Sequence, residues 1–342
     1  MGFSSRSCCG IKRSMATIRF SLFLPTGNFA EAREAAVWAD THGFDAVSIN
    51  DHYFSPFGSP ETPQLECFTT LTAIAAVTQR VRLMPAVAAM SFRPPPMLAK
   101  LASTLDHVSN GRVVLGVGAG WQRNEYDAHA YPYLSNLERL DQLREGIQVI
   151  KAMWTQNEPS YRGRYFSIDK AYNNPRPVQR PHPPIMIGGS GSKLLPITAA
   201  EADIANMIPP IINGKDLLKD PPAAVRFDKR DFKRRIDKLR GLIREAGRDV
   251  GAVTIGGFVL ANVSRDKATA AAALKAIASS MGYPSEDAAR YSPTLLIGTI
   301  EEVKRELRSR LEELGVTYYV VLPATPESRE LLASEVMPAF SS

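Results

Sequence analysis

Short apolar runs alternate with longer amphipathic segments along most of this chain. Apolar runs bounded by turn residues are typical of buried strands, and apolar residues that recur every three or four positions are typical of helices. Eight runs predict strands, at residues 18–24, 45–49, 81–87, 113–117, 185–187, 203–207, 253–263 and 316–322. They are continuously apolar rather than alternating, which indicates strands buried on both faces, as in a parallel sheet.

Helical segments separate most of these strands. They are predicted at about 28–41, 66–78, 97–108, 136–154, 299–314 and 327–340, with further helices that begin near Ser192, cover the basic run 226–240 and end near Ser280. Eight strands that alternate with helices predict an α/β protein with a parallel sheet. We expect the sheet to close into a (β/α)8 TIM barrel; an open, doubly wound sheet is the alternative.

Two long segments interrupt the alternation, after the fourth and the sixth strands. The first contains the helix at 136–154 and then a stretch rich in Gly, Pro and Tyr from Thr155 to Pro184. The second, Pro209 to Phe227, has several prolines and little periodicity, and we interpret it as a surface insertion or lid. Residues 1–15 contain no apolar stretch of signal-peptide length, so we expect a flexible extension there and one barrel domain over 16–342.

The composition is that of an ordinary globular protein, with 342 residues, 44% of them hydrophobic and 22% charged. No run approaches the roughly 18 apolar residues of a membrane span. The three cysteines, Cys8, Cys9 and Cys67, form no CxxC pair and no cluster with histidine at metal-ligand spacing. We therefore expect a cytoplasmic protein with no metal site and no membrane partner.

The net charge of +6 is concentrated most densely in residues 226–240. Aspartates interrupt this basic run, and Phe232, Ile236 and Leu239 recur within it at helical spacing. This pattern favours an amphipathic helix with a solvated basic face. We expect no nucleic-acid partner; a contact of this face with an anionic ligand or with nucleic acid is the alternative.

In a parallel barrel, catalytic groups follow the carboxyl ends of the strands. Asp51 and His52 come directly after the second predicted strand. A histidine in this position is suited to donate or accept a proton near neutral pH, and the alternative is a hydrogen bond to nearby backbone. Asp51 is a candidate to fix the tautomer of His52, although adjacent residues on a strand point to opposite faces.

The ends of the third and fourth strands carry small residues. Ala86 and Val87, after the third strand, could form a smooth wall against a flat ring, but their composition alone favours plain barrel core. The fourth strand ends in Gly116-Val117-Gly118-Ala119-Gly120-Trp121, and glycines there let the backbone approach a ligand. Trp121 stands where a dinucleotide-binding fingerprint requires glycine, which argues against that type of site.

The fifth strand is followed by Gly188-Gly189-Ser190-Gly191-Ser192-Lys193. Backbone amides freed by glycine, the positive end of a helix that begins there and the lysine together predict a phosphate site. The alternative is an ordinary helix cap with a flexible approach. The segment lacks the GK[ST] ending of a P-loop, so triphosphate hydrolysis is not implied.

Taken together, these motifs resemble the luciferase-like monooxygenase superfamily, which includes the oxidoreductases dependent on the deazaflavin coenzyme F420. The similarity covers about residues 17–340. Its most specific parts are Arg93 to Pro96, Leu98 to Lys100, Leu105-Asp106, Ser109 to Arg112, Leu115 to Trp121, Pro177 to Gly189 and Leu296 to Thr299. The resemblance implies a (β/α)8 barrel with one insertion after strand four and another after strand six or seven, and a homodimer.

The resemblance also implies where a cofactor lies. The ring would lie against the end of strand three, where the family has a cis peptide without proline, at about Ala86–Val87 here. The phosphate would bind the backbone of Gly188, Gly189, Ser190, Gly191 and Ser192, and the chain between ring and phosphate would be flanked by Gly118, Ala119, Gly120 and Asn124. Asp-His after strand two is common in the deazaflavin branch, with the histidine near the carbon that exchanges hydride.

We therefore predict an F420-dependent oxidoreductase that transfers a hydride between the deazaflavin and a small organic substrate. Asp51 would contribute to cofactor binding, His52 would move the accompanying proton, and the substrate pocket would be walled by Tyr53, Phe54, Phe57, Phe92 and Trp121. Trp121 occupies the place of a glutamate found in sugar-phosphate dehydrogenases of this branch, so glucose-6-phosphate oxidation is in doubt. Arg93-Pro94-Pro95 likewise lacks the histidine of the usual Arg-His-Pro.

Two alternatives stay open. An FMN-dependent monooxygenase would use reduced flavin and O2 in the same fold. The second alternative belongs to a different class of function. The barrel would bind a phosphorylated ligand without redox chemistry, or its basic surface would bind nucleic acid. If F420 is the cofactor, its acidic polyglutamate tail would be attracted to the basic helix near Arg234 and Arg235.

Overall fold

A computed structural model describes residues 17–56, 59–211 and 221–341 of the chain. The extension expected at residues 1–15, the predicted pocket residue Phe57 and the middle of the expected lid lie outside these residues.

The main sheet is a parallel barrel. Its strands are β1 Arg19–Phe23, β2 Ala46–Ile49, β3 Arg82–Pro85, β4 Ala88–Ala89, β5 Leu115–Gly118, β8 Ile185–Gly188, β9 Ile204–Asn206, β10 Thr254–Ser264 and β12 Val316–Pro323; the short strands β6 Tyr161–Arg162 and β7 Ser167–Ile168 form a separate hairpin. Strands β3 and β4 are two halves of the third barrel strand, separated by a bulge. The barrel closes because β4 pairs with β5 and Leu83 bridges to Val113. The predicted (β/α)8 barrel is confirmed, and the open-sheet alternative was wrong.

One strand of the main sheet was not predicted. Strand β11, Leu295–Thr299, pairs in parallel with the second half of β10, from Leu260 to Ser264. The pairing is possible because β10 is 11 residues long and extends past its contacts with β9 and β12. β11 leads into helix α11 through a capping box, in which the Thr299 hydroxyl and the Glu302 carboxylate each accept the other's backbone amide.

The helices largely follow the predicted positions. They are α1 Phe29–Thr41, α2 Cys67–Ala75, α3 Pro95–Val108, α4 Arg123–Ala128, α5 Asn136–Thr155, α6 Leu195–Glu201, α7 Pro221–Arg226, α8 Lys229–Glu245, α9 Lys267–Ser280, α10 Glu286–Arg290, α11 Ile300–Leu314 and α12 Pro326–Leu331. The helix expected to begin near Ser192 begins at Leu195, because residues 192–194 form a turn in which the Gly191 carbonyl accepts the amides of Leu194 and Leu195.

The two insertions lie after the fourth and the sixth barrel strands, as predicted. The first contains α4, α5 and the hairpin β6–β7, which falls inside the stretch predicted to be irregular. The second follows β9, and its described part includes helix α7. Among the described residues, no helix is long and apolar enough to cross a membrane.

Several motif residues have a structural role far from the strand ends. The Arg112 guanidinium donates hydrogen bonds to the carbonyls of Ala75, Thr78, Val81 and Ser109, which end helices α2 and α3 and begin β3. The fully buried Asp106 carboxylate accepts from the Gln179 backbone amide and side chain and from the Val113 amide. These two residues account for part of the family resemblance through contacts that hold the fold together.

Candidate active site

A cavity of about 860 Å³ opens at the carboxyl ends of the barrel strands. Most of the predicted site residues line it: Asp51, His52, Ala86, Val87, Gly118, Ala119, Gly120, Trp121 and all of Gly188 to Ser192. Phe92 lines it too, and the Trp121 ring meets the His52 ring edge-on, with centroids 5.5 Å apart. The structure therefore gathers residues from four separate strand ends around one space.

Three of the predicted residues that the structure describes, Tyr53, Phe54 and Asn124, are not part of the cavity wall. The Phe54 ring packs against His129 instead, with centroids 5.2 Å apart. The Tyr53 ring stacks on His129, at 4.1 Å between centroids, and its hydroxyl forms a hydrogen bond with Tyr131, which places it in an aromatic cluster behind the wall. Burial raises the pKa of Tyr53 to about 12, so the phenol is neutral at physiological pH. Asn124 is exposed on helix α4 and is absent from the cavity lining.

His52 is held by a residue that the sequence analysis did not identify. Its Nδ1 lies 2.7 Å from Oε2 of Glu125, a carboxylate in helix α4 with no exposed surface. Glu125 comes from the segment after the fourth barrel strand, 73 residues along the chain from His52. The only sequence signal was a charged residue beside Tyr126 and close to the glycine-rich strand end, which is too weak to assign a partner.

Asp51 does not contact His52, so the suggestion that it fixes the histidine tautomer was wrong. Its two carboxylate oxygens accept hydrogen bonds from the Arg93 guanidinium at 2.7 and 2.9 Å, and one of them also accepts the Ala89 amide. Arg93 in turn reaches Glu66 at the start of helix α2. Asp51 therefore links the end of the second strand to β4 and to Arg93 beyond it.

The bulge contains a cis peptide between Ala86 and Val87, as the resemblance implied. The Val87 side chain projects toward glycines on the neighbouring strands: a Cβ on Gly118 would lie 2.8 Å from a Val87 methyl carbon, and one on Gly188 would lie 3.0 Å from both methyl carbons. Glycine is therefore needed at these strand ends to accommodate Val87. This packing requirement stands beside the predicted close approach of a ligand.

Gly120 has a different reason to be glycine. Its φ is +75°, and a Cβ there would overlap the hydroxyl of Tyr126, which is hydrogen-bonded to Ser91. Burial raises the pKa of Tyr126 to about 12, so this buried phenol stays protonated and can hold the contact. The strand-four glycines thus shape the cavity through Val87 and Tyr126.

The Gly188–Ser192 segment has features of an anion site, but the predicted helix N-terminus is not one of them. Gly189 has a φ of +125°, and a Cβ on Gly191 would meet no atom of the described residues within 4 Å, so these residues leave the backbone open to the cavity there. Ser190 is turned away, because its hydroxyl donates to the Ile208 carbonyl. Since helix α6 begins only at Leu195, its dipole contributes little at residues 188–191.

Cationic side chains supply the charge instead. Arg123, Arg139, Lys193 and Arg235 all line the cavity, and Arg123 and Arg235 are paired with Asp127 and Asp231. The acidic lining residues, Asp51 and Glu125, are both engaged by other side chains. Arg139 is buried, donates to the Gly120 and Leu134 carbonyls, and has no carboxylate partner among the described residues. The lining therefore fits a phosphate or another anion next to the open glycine backbone.

The sequence did not identify Arg139 as a site residue, and it suggested Arg235 only as a contact for an acidic cofactor tail. Arg139 lies four residues before Leu143 on the buried stripe of helix α5, and an arginine on a buried stripe is a usable signal of a functional charge. Arg235 donates to the Ser190 carbonyl and to Asp231, while Arg234 is exposed and paired with the same aspartate. The predicted amphipathic character of helix α8 is confirmed, with Phe232, Ile236 and Leu239 buried.

The cavity thus has two chemically different regions. Ala86, Val87, Phe92 and Trp121 give an apolar region suited to a flat ring, and the glycine segment with the nearby cations gives a positively charged region suited to an anion. Among the described residues there is no group of three or more His, Cys, Asp or Glu side chains that could hold a metal ion. The residues present fit an isoalloxazine-type ring that carries a phosphate.

Comparison with known proteins agrees with this arrangement. The family model for luciferase-like monooxygenases matches residues 14–211, which is more than half of the chain, and the chain belongs to that family. Several of the proteins that resemble the chain are named as dehydrogenases or monooxygenases.

The relatives use both kinds of cofactor. The chain is 35% identical over 176 residues to an F420-dependent glucose-6-phosphate dehydrogenase of Nakamurella multipartita, covering 51% of this chain and 50% of that protein. It is 30% identical over 158 residues to an FMNH2-dependent dimethylsulfone monooxygenase of Pseudomonas putida, covering 46% and 43%. The matches span about half the length of such curated relatives.

Among solved structures, an F420-dependent secondary alcohol dehydrogenase in complex with an F420–acetone adduct superposes with a TM-score of 0.77 at 20% identity, covering 95% of this chain and all of that one. At this identity the similarity establishes the fold. A deazaflavin or a flavin is consistent with the family, and the choice between them rests on the site.

Proposed function

We propose that the protein is an F420-dependent oxidoreductase that transfers a hydride between the deazaflavin and a small organic substrate. The observation that carries this proposal is His52, which lines the cavity beside the apolar ring region with one nitrogen bound to a buried carboxylate. Hydride exchange at a substrate carbon requires a proton to leave or reach the attached oxygen or nitrogen, and histidine is the side chain best suited to move it near neutral pH.

The chain's own residues would hold the cofactor in two places. Ala86 and Val87 would contact the ring, and the open backbone at Gly188–Ser192 with Arg139 and Arg235 would bind the phosphate. When bound, the deazaflavin supplies the carbon that accepts or donates the hydride. Phe92 and Trp121 would exclude water from the substrate beside His52.

A binding titration tests the proposal. Purified protein is titrated separately with F420 and with FMN, and binding is followed by the change in cofactor absorbance and fluorescence. We expect saturable F420 binding with a Kd at least about tenfold lower than that for FMN, a difference of about 1.4 kcal/mol. Tight FMN binding without tight F420 binding would reject it.

An FMN-dependent monooxygenase is the second candidate. It is favoured by the 30% identity to the dimethylsulfone monooxygenase and by the apolar lining around Phe92 and Trp121. It predicts O2 uptake when the protein is mixed with reduced FMN and a substrate, with one oxygen atom incorporated into the product. Turnover that persists under strict exclusion of O2 contradicts this candidate.

A further inference from the structure

The carboxylate of Glu125 accepts three hydrogen bonds from one short segment of the chain. Oε2 lies 2.7 Å from His52 Nδ1, and Oε1 accepts the backbone amides of Tyr53 at 2.5 Å and Phe54 at 2.8 Å. The carboxylate has no exposed surface. One side chain of helix α4 therefore fixes both the His52 ring and the backbone that follows it.

The two amide donors on Oε1 determine whether Oε2 accepts or donates the hydrogen bond with His52. Both backbone amides donate to Oε1, and an ionised carboxylate, which can only accept hydrogen bonds, satisfies all three contacts. His52 Nδ1 must then carry the hydrogen in this contact. Because Nδ1 is engaged with Glu125, Nε2 is the nitrogen left for the cavity, and no described residue is hydrogen-bonded to it.

We propose that Glu125 is a positioning residue that holds neutral His52 in the tautomer protonated at Nδ1, so that Nε2 presents its lone pair to the substrate. In this state His52 accepts the proton of an alcohol at Nε2, and the imidazolium so formed returns a proton from Nε2 in the reverse direction. The role in turnover rests on the proposed hydride-transfer function. The assignment of the His52 tautomer does not depend on that function.

Asp51 does not compete for this role. Both of its oxygens are occupied by Arg93 and by the Ala89 amide, on the other side of the strand end. A histidine whose Nδ1–H is fixed by a carboxylate has a defined ring orientation as well as a defined tautomer. Loss of the carboxylate therefore affects the direction of Nε2 in addition to its protonation.

The substitution Glu125→Gln gives an unusually sharp test. A glutamine cannot satisfy all three donors with acceptors, since one end of its amide is itself a donor. If its oxygen keeps the two backbone amides, its NH2 faces His52 Nδ1, which must then be the unprotonated nitrogen. Two fixed amides outweigh one imidazole that can change tautomer, so E125Q should invert the tautomer of neutral His52.

The chain offers a matched control in Glu145. This buried carboxylate also accepts three hydrogen bonds, from the backbone amides of Arg164, Tyr165 and Phe166, but contacts no histidine. Glu145→Gln therefore reproduces the loss of a buried, amide-bound carboxylate without a change at His52. Thermal unfolding of both variants reports how much stability each change costs.

The experiment is long-range ¹H–¹⁵N correlation NMR of the full chain labelled in its five histidines, without added cofactor and at a pH where they are neutral. His52→Asn identifies the His52 signals by their disappearance. We expect Nδ1 of His52 to be the protonated nitrogen in the parent protein and in E145Q, and Nε2 in E125Q. A parent protein protonated at Nε2, or an E125Q variant that folds and keeps the parent tautomer, overturns the proposal.

The parent spectrum alone decides the question if E125Q does not fold. In turnover assays with bound cofactor, E125Q should lower kcat by about 10²-fold or more while the cofactor Kd changes less than about threefold. A protein that binds neither cofactor would reject the proposed function but leave the tautomer result standing. The two failures are therefore distinguishable.

Discussion

Gly118→Ala provides a direct test of the packing around Val87. The new Cβ would lie 2.8 Å from a Val87 methyl carbon, whereas ordinary van der Waals contact begins at 3.4 Å, so a gap of about 0.6 Å must be opened. Gly118 is the last residue of β5 and pairs with Ala89, and Val87 directly precedes β4, so neither backbone can move without disturbing the ladder between β4 and β5. We expect G118A to lower the free energy of unfolding by about 1–3 kcal/mol through overpacking.

The partner substitution Val87→Ala removes the methyl groups that the new Cβ would meet. Alone it should cost about 1 kcal/mol from lost contacts of a half-buried side chain. Combined with G118A it should recover most of the overpacking cost, which gives a coupling of about 1–2 kcal/mol between the two sites. The assay is urea unfolding of the parent, both single variants and the double variant.

Gly191→Ala is the matched control, because a Cβ there meets no atom within 4 Å in the part of the chain that the structure describes and the backbone is not left-handed. Its stability should stay within about 0.5 kcal/mol of the parent. A G118A variant as stable as the parent, or a double variant no more stable than the sum of the single effects predicts, would refute the account of these glycines.

Three further predictions concern other parts of the chain. Arg112→Ala should lower the free energy of unfolding by about 3 kcal/mol or more in a denaturant titration, because several backbone carbonyls lose their hydrogen-bond donor. Cofactor affinity should stay nearly unchanged, and a strong, selective loss of affinity would contradict the structural role of Arg112. Arg139→Met should weaken binding of either phosphate-bearing cofactor by about tenfold, and riboflavin, which has no phosphate, should lose much less; equal losses would place the arginine elsewhere. The hydrogen bond from the backbone amide of Thr299 lowers the pKa of Glu302 in the folded protein. The Glu302 carboxylate therefore contributes its full stabilisation above the pKa of the unfolded chain, near 4.3, and loses it as the pH falls through the pKa of the folded protein. Glu302→Gln should therefore narrow the difference in Tm between pH 6 and pH 3, and an unchanged difference would argue against the capping-box contribution.

The barrel could be predicted because its strands are buried on both faces. The sequence of each strand is therefore a continuous apolar run between turn residues. Strand β11 was harder, because it pairs only with the overhanging end of β10 and its run is followed at once by helix α11. The start of helix α6 was misplaced because Ser192 is a typical capping residue, while the Gly191 carbonyl closes a turn first.

The site was predictable where it follows strand ends and unpredictable where it depends on contacts distant in sequence. The rule that strand ends meet at one edge of a barrel was enough to collect His52, Val87, Gly118 and Gly188 around a single cavity. Sequence adjacency made Asp51 the only visible partner for His52, yet Glu125 holds it. The insertion that carries Glu125 has no periodic relation to the second strand, so only the folded chain shows the pair.

A competition experiment tests the central claim most directly. The purified protein is dialysed to equilibrium against equal concentrations of F420 and FMN, and the cofactor retained with the protein is quantified. The site, with His52 and Glu125 beside an apolar ring region and with Lys193 and Arg235 beside the open glycine backbone, predicts that F420 is retained in at least about tenfold excess. Preferential retention of FMN would contradict the deazaflavin assignment.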